Sequence, residues 1–140
     1  MEKNKYWAIA GILQEAEDGD VAAQFAVAEH FWHGRIVKQD LAQAISWYDR
    51  AAQMGHNKAM CALAYAYATG TGTEMDPQKA FFWYDRAADR GDIRALRSLA
   101  ACYASGFGIE KNPEKAYALM SAALNRQLGL PRSGDGFDRG

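Results

Sequence analysis

One stretch of this chain occurs twice at an offset of 36 residues, as Ala44-Ile-Ser-Trp-Tyr-Asp-Arg-Ala-Ala-Gln-Met-Gly55 and Ala80-Phe-Phe-Trp-Tyr-Asp-Arg-Ala-Ala-Asp-Arg-Gly91. Extended in both directions, the same period aligns three gapless repeats over residues 20–55, 56–91 and 92–127. Five columns are identical in all three repeats, and each holds alanine or glycine: Ala23/Ala59/Ala95, Ala28/Ala64/Ala100, Gly34/Gly70/Gly106, Ala44/Ala80/Ala116 and Ala51/Ala87/Ala123. A unit this short cannot bury its own apolar face, so tandem copies are predicted to stack as an all-α solenoid.

Each repeat is predicted to contain two helices. Helix A has apolar residues at helical spacing and ends at the shared glycine, which suits a left-handed C-terminal cap. Helix B is predicted to begin at an N-cap residue in every repeat: Asp40, Asp76 and Asn112. Proline follows this residue in two copies, and Gln43 in the first copy is placed for a capping box with Asp40.

The segments outside the three repeats are shorter. Residues 6–19 align with the end of a repeat, so they are predicted to form a lone helix B that caps the first helix A. Residues 128–140 are predicted to be a flexible, glycine-rich tail. Leu128 and Leu130 either fold back over the last repeat or leave its face open to another chain. We therefore expect a single domain over residues 1–127.

Composition excludes several classes of partner. The formal net charge is −1, so the chain lacks the basic excess that nucleic-acid binding requires. No run of 18 apolar residues occurs, so no membrane insertion is expected. Cys61 and Cys102 occupy different positions in their repeats, too far apart for a disulfide on neighbouring helices, and unbridged thiols favour a cytoplasmic protein.

The repeated Trp-Tyr-Asp-Arg-Ala-Ala segments resemble the hallmark of the Sel-1-like repeat family. Two further stretches resemble its aromatic-x-x-Gly-x-Gly loop: Tyr67-Ala-Thr-Gly-Thr-Gly-Thr-Glu-Met-Asp-Pro77 and Tyr103-Ala-Ser-Gly-Phe-Gly-Ile-Glu-Lys-Asn-Pro113. The resemblance covers about residues 6 to 127. It implies a right-handed α-solenoid of the tetratricopeptide-like superfamily, whose members are chiefly adaptors that assemble other proteins. In bacteria, the source that this resemblance suggests, such proteins often serve signalling, secretion, host contact or toxin neutralisation.

Helix A lines the concave groove in tetratricopeptide-like stacks, and four columns of helix A differ between the repeats here. Aromatic anchors can supply desolvated contact in such a groove, and arginines can pair with carboxylates. The candidate protein-binding residues are Phe25, Glu29, Trp32, Lys58, Tyr65, Arg94 and Arg97. Phe25 and Trp32 could instead pack against the N-terminal helix.

Residues with catalytic or ligand-binding potential are better explained by structure. The paired glycines of the two loops follow a helix, whereas a phosphate-binding fingerprint follows a strand. His30 and His33 share a helix face without an evident third ligand, and no nucleophile–base pair stands out. We expect no enzyme activity, no cofactor and no metal.

These features predict a non-enzymatic protein-interaction module that binds one dedicated protein through the helix-A groove. The partner segment is expected to carry apolar and acidic residues. An adaptor or an inhibitor is the favoured role, and by family analogy an immunity protein against a toxin or secreted lipase is one concrete version. The alternatives are a homodimer built through the last repeat and, least favoured, a hydrolase.

Overall fold

The computed structural model describes residues 6–130, and these residues form helices and loops without strands. The helices are α1 (Ala10–Glu17), preceded by a 3₁₀ turn at Trp7–Ile9, then α2 (Val21–His33), α3 (Leu41–Gln53), α4 (Asn57–Thr69), α5 (Pro77–Asp89), α6 (Ile93–Ser105) and α7 (Pro113–Gln127). The prediction of an all-α repeat fold is confirmed. Two compact units divide between Met75 and Asp76, so α1–α4 belong to the first and α5–α7 to the second.

The A helices α2, α4 and α6 begin and end in the same way. Each starts after a residue whose side chain accepts a hydrogen bond from a backbone N–H: Asp20 from Ala23 (2.9 Å), His56 from Ala59 (3.1 Å) and Asp92 from Ala95 (3.0 Å). Each ends at the shared glycine in the left-handed region: Gly34 (φ 67°), Gly70 (φ 71°) and Gly106 (φ 76°). The predicted glycine caps are confirmed.

The B helices α3, α5 and α7 begin at the three predicted N-cap residues. Each side-chain oxygen accepts from a backbone N–H at 3.1 Å: Asp40 from Gln43, Asp76 from Lys79 and Asn112 from Lys115. The backbone N–H of Asp40 donates to the Phe31 carbonyl at 2.9 Å. In a capping box, the Gln43 side chain would accept a hydrogen bond from this N–H. Here the Phe31 carbonyl accepts it instead, and the bond closes the loop between α2 and α3.

In the first unit, α1 packs on α2, α2 on α3 and α3 on α4. The alanine columns lie at these contacts, and Ala28, Ala44, Ala51, Ala59 and Ala64 are fully buried. Larger buried side chains fill the space between the helices: Val27, Phe31, Tyr48, Met60 and Leu63. At the N-terminal side, Tyr6 meets Phe31 edge-on at 5.2 Å, and the buried Gln24 donates to the Ala16 carbonyl at 3.1 Å.

The second glycine of each Gly-x-Gly pair allows the backbone to approach a B helix. A Cβ on Gly72 would lie 2.8 Å from the Leu41 Cβ, and one on Gly108 would lie 2.2 Å from the Pro77 carbonyl oxygen. Both glycines have positive φ, 78° and 76°. Only glycine fits both the conformation and the space, so these pairs are packing elements.

In the second unit, α5 packs on α6 and α6 on α7. Helix α7 has 15 residues where α3 and α5 have 13. Its outer face exposes an apolar stripe at helical spacing: Tyr117, Met120, Leu124 and Leu128. Met120 is 51% exposed, whereas Tyr48, at the same repeat position, is 1% exposed. The open face predicted for the last repeat is therefore present on α7.

The turn after α7 copies the turns that precede the A helices. Gly129 N–H donates to the Arg126 carbonyl and Leu130 N–H to the Asn125 carbonyl, as Gly91 and Asp92 do to Ala88 and Ala87. Leu130 also lines a hollow of about 270 Å³. Leu128 remains on the exposed face. The rest of the predicted tail, residues 131–140, lies outside the described residues.

Candidate protein-interaction site

Five ring-bearing residues of the first unit form one cluster, the aromatic cluster. Phe25 on α2 stacks on His56 at 4.5 Å and meets Tyr48 of α3 at 5.9 Å. Trp32, two turns further along α2, lies edge-on to Tyr48 at 5.8 Å and to Tyr65 of α4 at 6.4 Å. The ring partners of Phe25 and Trp32 are therefore Tyr48 on α3, Tyr65 on α4 and His56, the N-cap residue of α4.

Glu29 lies on α2 between Phe25 and Trp32 and joins the aromatic cluster through Tyr48. The Tyr48 hydroxyl donates to Glu29 Oε2 at 2.5 Å, and His33 Nε2 lies 3.4 Å from Glu29 Oε1. Burial raises the pKa of Tyr48 well above its usual value, and the bond to the Glu29 carboxylate raises it further. Tyr48 is therefore a neutral donor that holds the carboxylate in place.

His56 has two roles at the start of α4. Its Nδ1 accepts the Ala59 N–H, and its ring stacks on Phe25. Burial lowers the pKa of His56, and the nearby Lys58 ammonium lowers it further. The neutral imidazole is required, because a protonated Nδ1 cannot accept a hydrogen bond.

The predicted cationic residues are all exposed, and they are divided between the units. Lys58 lies on α4 beside His56 in the first unit. Arg94 and Arg97 lie on α6 in the second unit. Arg94 Nη2 is 3.6 Å from the Asp92 carboxylate, and the Arg97 guanidinium donates to Gln127 Oε1. The structure therefore joins Phe25, Glu29, Trp32 and Tyr65 through the aromatic cluster, whereas Arg94 and Arg97 belong to the second unit.

Sequence reasoning missed Tyr48 and His56. Tyr48 belongs to the Trp-Tyr pair that also occurs in the second repeat as Trp83-Tyr84. A residue shared between repeats indicates a structural role, so the sequence does not predict it to belong to the site. His56 did carry a signal, because the same column holds aspartate in the other two repeats, as Asp20 and Asp92. An N-cap position that holds aspartate in two repeats and histidine in the third indicates that the histidine has a second role.

Three further features of the described residues concern metal ligands, thiols and helix length. Residues 6–130 contain no group of three or more His, Cys, Asp or Glu side chains placed to hold a metal ion. Cys61 and Cys102 are thiols rather than halves of a disulfide, and burial raises the pKa of the Cys102 thiol. Across the same residues, none of the helices is both long and apolar enough to cross a membrane.

The repeat pattern, its capping glycines and its buried alanine columns define a Sel1 repeat protein. The Sel1 repeat family matches residues 21–56, 57–92 and 93–127, and the chain belongs to that family. Its fold class is an all-α repeat solenoid. Sel1 repeats are generally protein-interaction modules of a non-catalytic, scaffold type.

Solved structures resemble the chain over most of its length. One is c5321, a protective antigen present in uropathogenic Escherichia coli strains and displaying an SLR fold, with 29% identity and a TM-score of 0.81 over 84% of this chain and 25% of that one. A Sel1 repeat protein from Oxalobacter formigenes has 29% identity and a TM-score of 0.79 over 90% of this chain and 51% of that one.

A third structure shares the fold at lower identity. Helicobacter pylori cysteine rich protein B has 20% identity and a TM-score of 0.64, with 98% of this chain and 95% of that chain covered. The chain thus spans a quarter of the length of the first relative and about half of the second. No curated protein matches the chain.

Proposed function

We propose that this chain binds one dedicated protein partner through exposed residues of its A helices. The observation that carries the proposal is the aromatic cluster, in which Tyr65 remains 52% exposed while it contacts Trp32. Exposed aromatic side chains supported by neighbouring rings are the usual anchors of protein interfaces, because they bury a large area at a small entropic cost. The family supports the same class of function.

The residues proposed to contact the partner are Phe25, Glu29, Trp32, Lys58 and Tyr65 in the first unit, and Arg94 and Arg97 in the second. The buried alanine columns hold the helices together, whereas the side chains of this surface differ between repeats. A surface of this kind suits an adaptor or an inhibitor of the immunity type, acting in the cytoplasm. The arginines favour acidic residues in the partner, because guanidinium and carboxylate groups form paired hydrogen bonds.

The experiment is affinity capture from the native cell extract with the wild-type chain and the Tyr65→Ala/Arg97→Glu variant, read by mass spectrometry. Both side chains are exposed, so helicity and melting temperature should change little. Binding to the captured partner should weaken by more than about tenfold, which corresponds to about 1.4 kcal/mol. Equal capture by the variant would exclude this surface.

A matched control variant tests whether the loss of binding is specific to the proposed residues. Tyr117→Ala/Arg90→Glu removes an exposed tyrosine and reverses an arginine at positions outside the proposed surface. This control should capture the partner as well as the wild type does. Loss of the partner with the control alone would instead assign binding to the α7 face.

The second candidate function is self-assembly, with a second copy covering the α7 face. The exposed stripe of Tyr117, Met120, Leu124 and Leu128 favours it, because large exposed apolar patches mark interaction sites. Light scattering at increasing protein concentration tests it. A dimer that Met120→Lys dissociates would support self-assembly, and a monomer at all concentrations would exclude it.

A further inference from the structure

Glu29 is a partly exposed carboxylate on α2. Its side chain is 38% exposed, and its partners are the Tyr48 hydroxyl and His33, which is charged only when protonated. Across residues 6–130, no lysine or arginine lies within ion-pair distance of Glu29. Arg35 lines the same hollow of about 220 Å³ as Glu29 and His33 without pairing with the carboxylate. Among the described residues, Glu29 therefore has no permanently charged ion-pair partner.

The carboxylate also retains unused hydrogen-bonding capacity. An ionised carboxylate has about four lone-pair sites on its two oxygens, and the two contacts described use one on each oxygen. Tyr48 fixes Oε2 from the buried side. The Glu29 carboxylate can therefore accept further hydrogen bonds at the surface, and Tyr48 already holds it in position.

Aromatic rings adjoin this carboxylate. Trp32 lies one turn from Glu29 on α2, and its ring contacts Tyr48 and the half-exposed Tyr65. The face of an aromatic ring attracts cations through its quadrupole, and tryptophan does so most strongly. A carboxylate with aromatic rings nearby favours a cationic side chain as its partner.

We propose that the Glu29–Trp32–Tyr65 surface receives a lysine or arginine side chain of the partner. The alternatives fit less well: an acidic side chain is repelled by Glu29, and an apolar one would remove water from the carboxylate without replacing its hydrogen bonds. This inference rests on the proposed function and adds a basic residue to the partner. The partner then carries a basic residue for Glu29 in addition to the acidic residues expected for Arg94 and Arg97.

The test uses a displayed library of random twelve-residue peptides selected on the full chain. Selections are run in parallel on the wild type, on Glu29→Gln, on Tyr65→Ala and on Glu74→Gln. The amide oxygen introduced by Glu29→Gln can still accept the Tyr48 hydrogen bond, so this variant removes the charge and keeps the fold. Glu74 is an exposed glutamate outside the surface and provides the matched loss of one negative charge.

We expect the wild type and Glu74→Gln to select peptides with one shared lysine or arginine position, and Glu29→Gln to show a clearly weaker preference for a basic residue there. For a selected peptide, replacing the basic residue by norleucine should weaken binding to the wild type by about tenfold, the combined size expected of an exposed ion pair and a cation–aromatic contact. The same replacement should weaken binding to Glu29→Gln by only about threefold, because the ion pair is already absent and only the cation–aromatic contact is lost.

The outcomes distinguish a failure of the cation assignment from a failure of the proposed function. Peptides that require Tyr65 but show no basic preference, or that bind Glu29→Gln with the same preference, would overturn the assignment of a cation and leave the proposed function standing. Selection of no peptide that depends on Tyr65 would overturn both.

Discussion

The hydroxyl of Tyr48 donates a 2.5 Å hydrogen bond to the carboxylate of Glu29, joining a buried side chain of α3 to a half-exposed side chain of α2. The two residues belong to the same repeat, and their bond connects the scaffold of the first unit with its proposed binding surface. The equivalent of Glu29 is Tyr65 in the second repeat and Ala101 in the third. The bond is therefore specific to one repeat.

Tyr48→Phe is expected to destabilise the protein by about 1.5 kcal/mol, because a hydrogen bond to a charged acceptor is lost while Glu29 remains open to water. The measurement is denaturant unfolding of the single variant and of Tyr48→Phe in a Glu29→Ala background. In that background the cost should fall close to zero, since the acceptor is absent. An equal cost in both backgrounds would mean that the hydroxyl stabilises the fold in another way.

His56 is expected to make stability pH-dependent. Its pKa in the folded state lies below the ordinary histidine value of about 6.5, so the unfolded chain binds more protons in that range. The stabilisation is complete above the unfolded-state pKa and is lost as the pH falls through the folded-state pKa. Relative to His56→Asp, the wild type should lose on the order of 1 kcal/mol between about pH 7.5 and 5, the typical contribution of a helix cap.

The variant His56→Asp provides the matched control for this effect, because aspartate caps the A helices of the other two repeats. His30 and His33 are present in both proteins, so they do not contribute to the difference. Thermal unfolding followed by circular dichroism across this pH range measures the difference in stability between the wild type and His56→Asp. Identical pH profiles for the two proteins would show that the cap does not depend on a neutral imidazole.

Gly106 and Gly108 form a natural pair for separating backbone strain from crowding. Both have φ of 76°, but a Cβ at Gly106 has no neighbour closer than 3.6 Å, whereas one at Gly108 meets the Pro77 carbonyl oxygen at 2.2 Å. Gly106→Ala should cost about 1 kcal/mol from the left-handed conformation alone. Gly108→Ala should cost about 3 kcal/mol or more, because backbone must also move. Equal costs in chemical denaturation would contradict the close approach.

The two thiols should differ in reactivity. Cys102 is 3% exposed and burial raises its pKa, whereas Cys61 is only partly buried. At about pH 8, a thiol-specific disulfide reagent should modify Cys61 first and reach Cys102 only on unfolding, because the exposed thiolate is the reactive species. Cys61→Ser should remove the fast phase, and Cys102→Ser should retain it. A fast phase that survives in Cys61→Ser would contradict the buried position of Cys102.

The helices could be predicted from sequence because their ends are local. Asp40, Asp76 and Asn112 cap the B helices through their own side chains, and Gly34, Gly70 and Gly106 end the A helices through their own backbone. Each signal requires only a few neighbouring residues and recurs in every copy. The period of 36 residues then shows which helices are equivalent.

The aromatic cluster could not be predicted from the same reasoning. Its contacts join residues of different columns, such as Tyr48 with Glu29 and Phe25 with His56, and a repeat alignment compares residues only within columns. Aligning the repeats identified Phe25, Trp32 and Tyr65 because their columns vary. It did not show what each side chain contacts, because that depends on helix packing in space.

The turn at Gly129 and Leu130 has a practical consequence for protein engineering. Its backbone hydrogen bonds match those before α4 and α6, and Leu130 occupies the place of the cap residues His56 and Asp92. A chain redesigned with aspartate at that position and a copy of residues 93–127 after it would enter the added helix through the same backbone turn, two residues later in the repeat than at His56 and Asp92. The addition should lengthen the array by one repeat and cover the apolar stripe of α7, which makes this turn a built-in junction for extending the molecule.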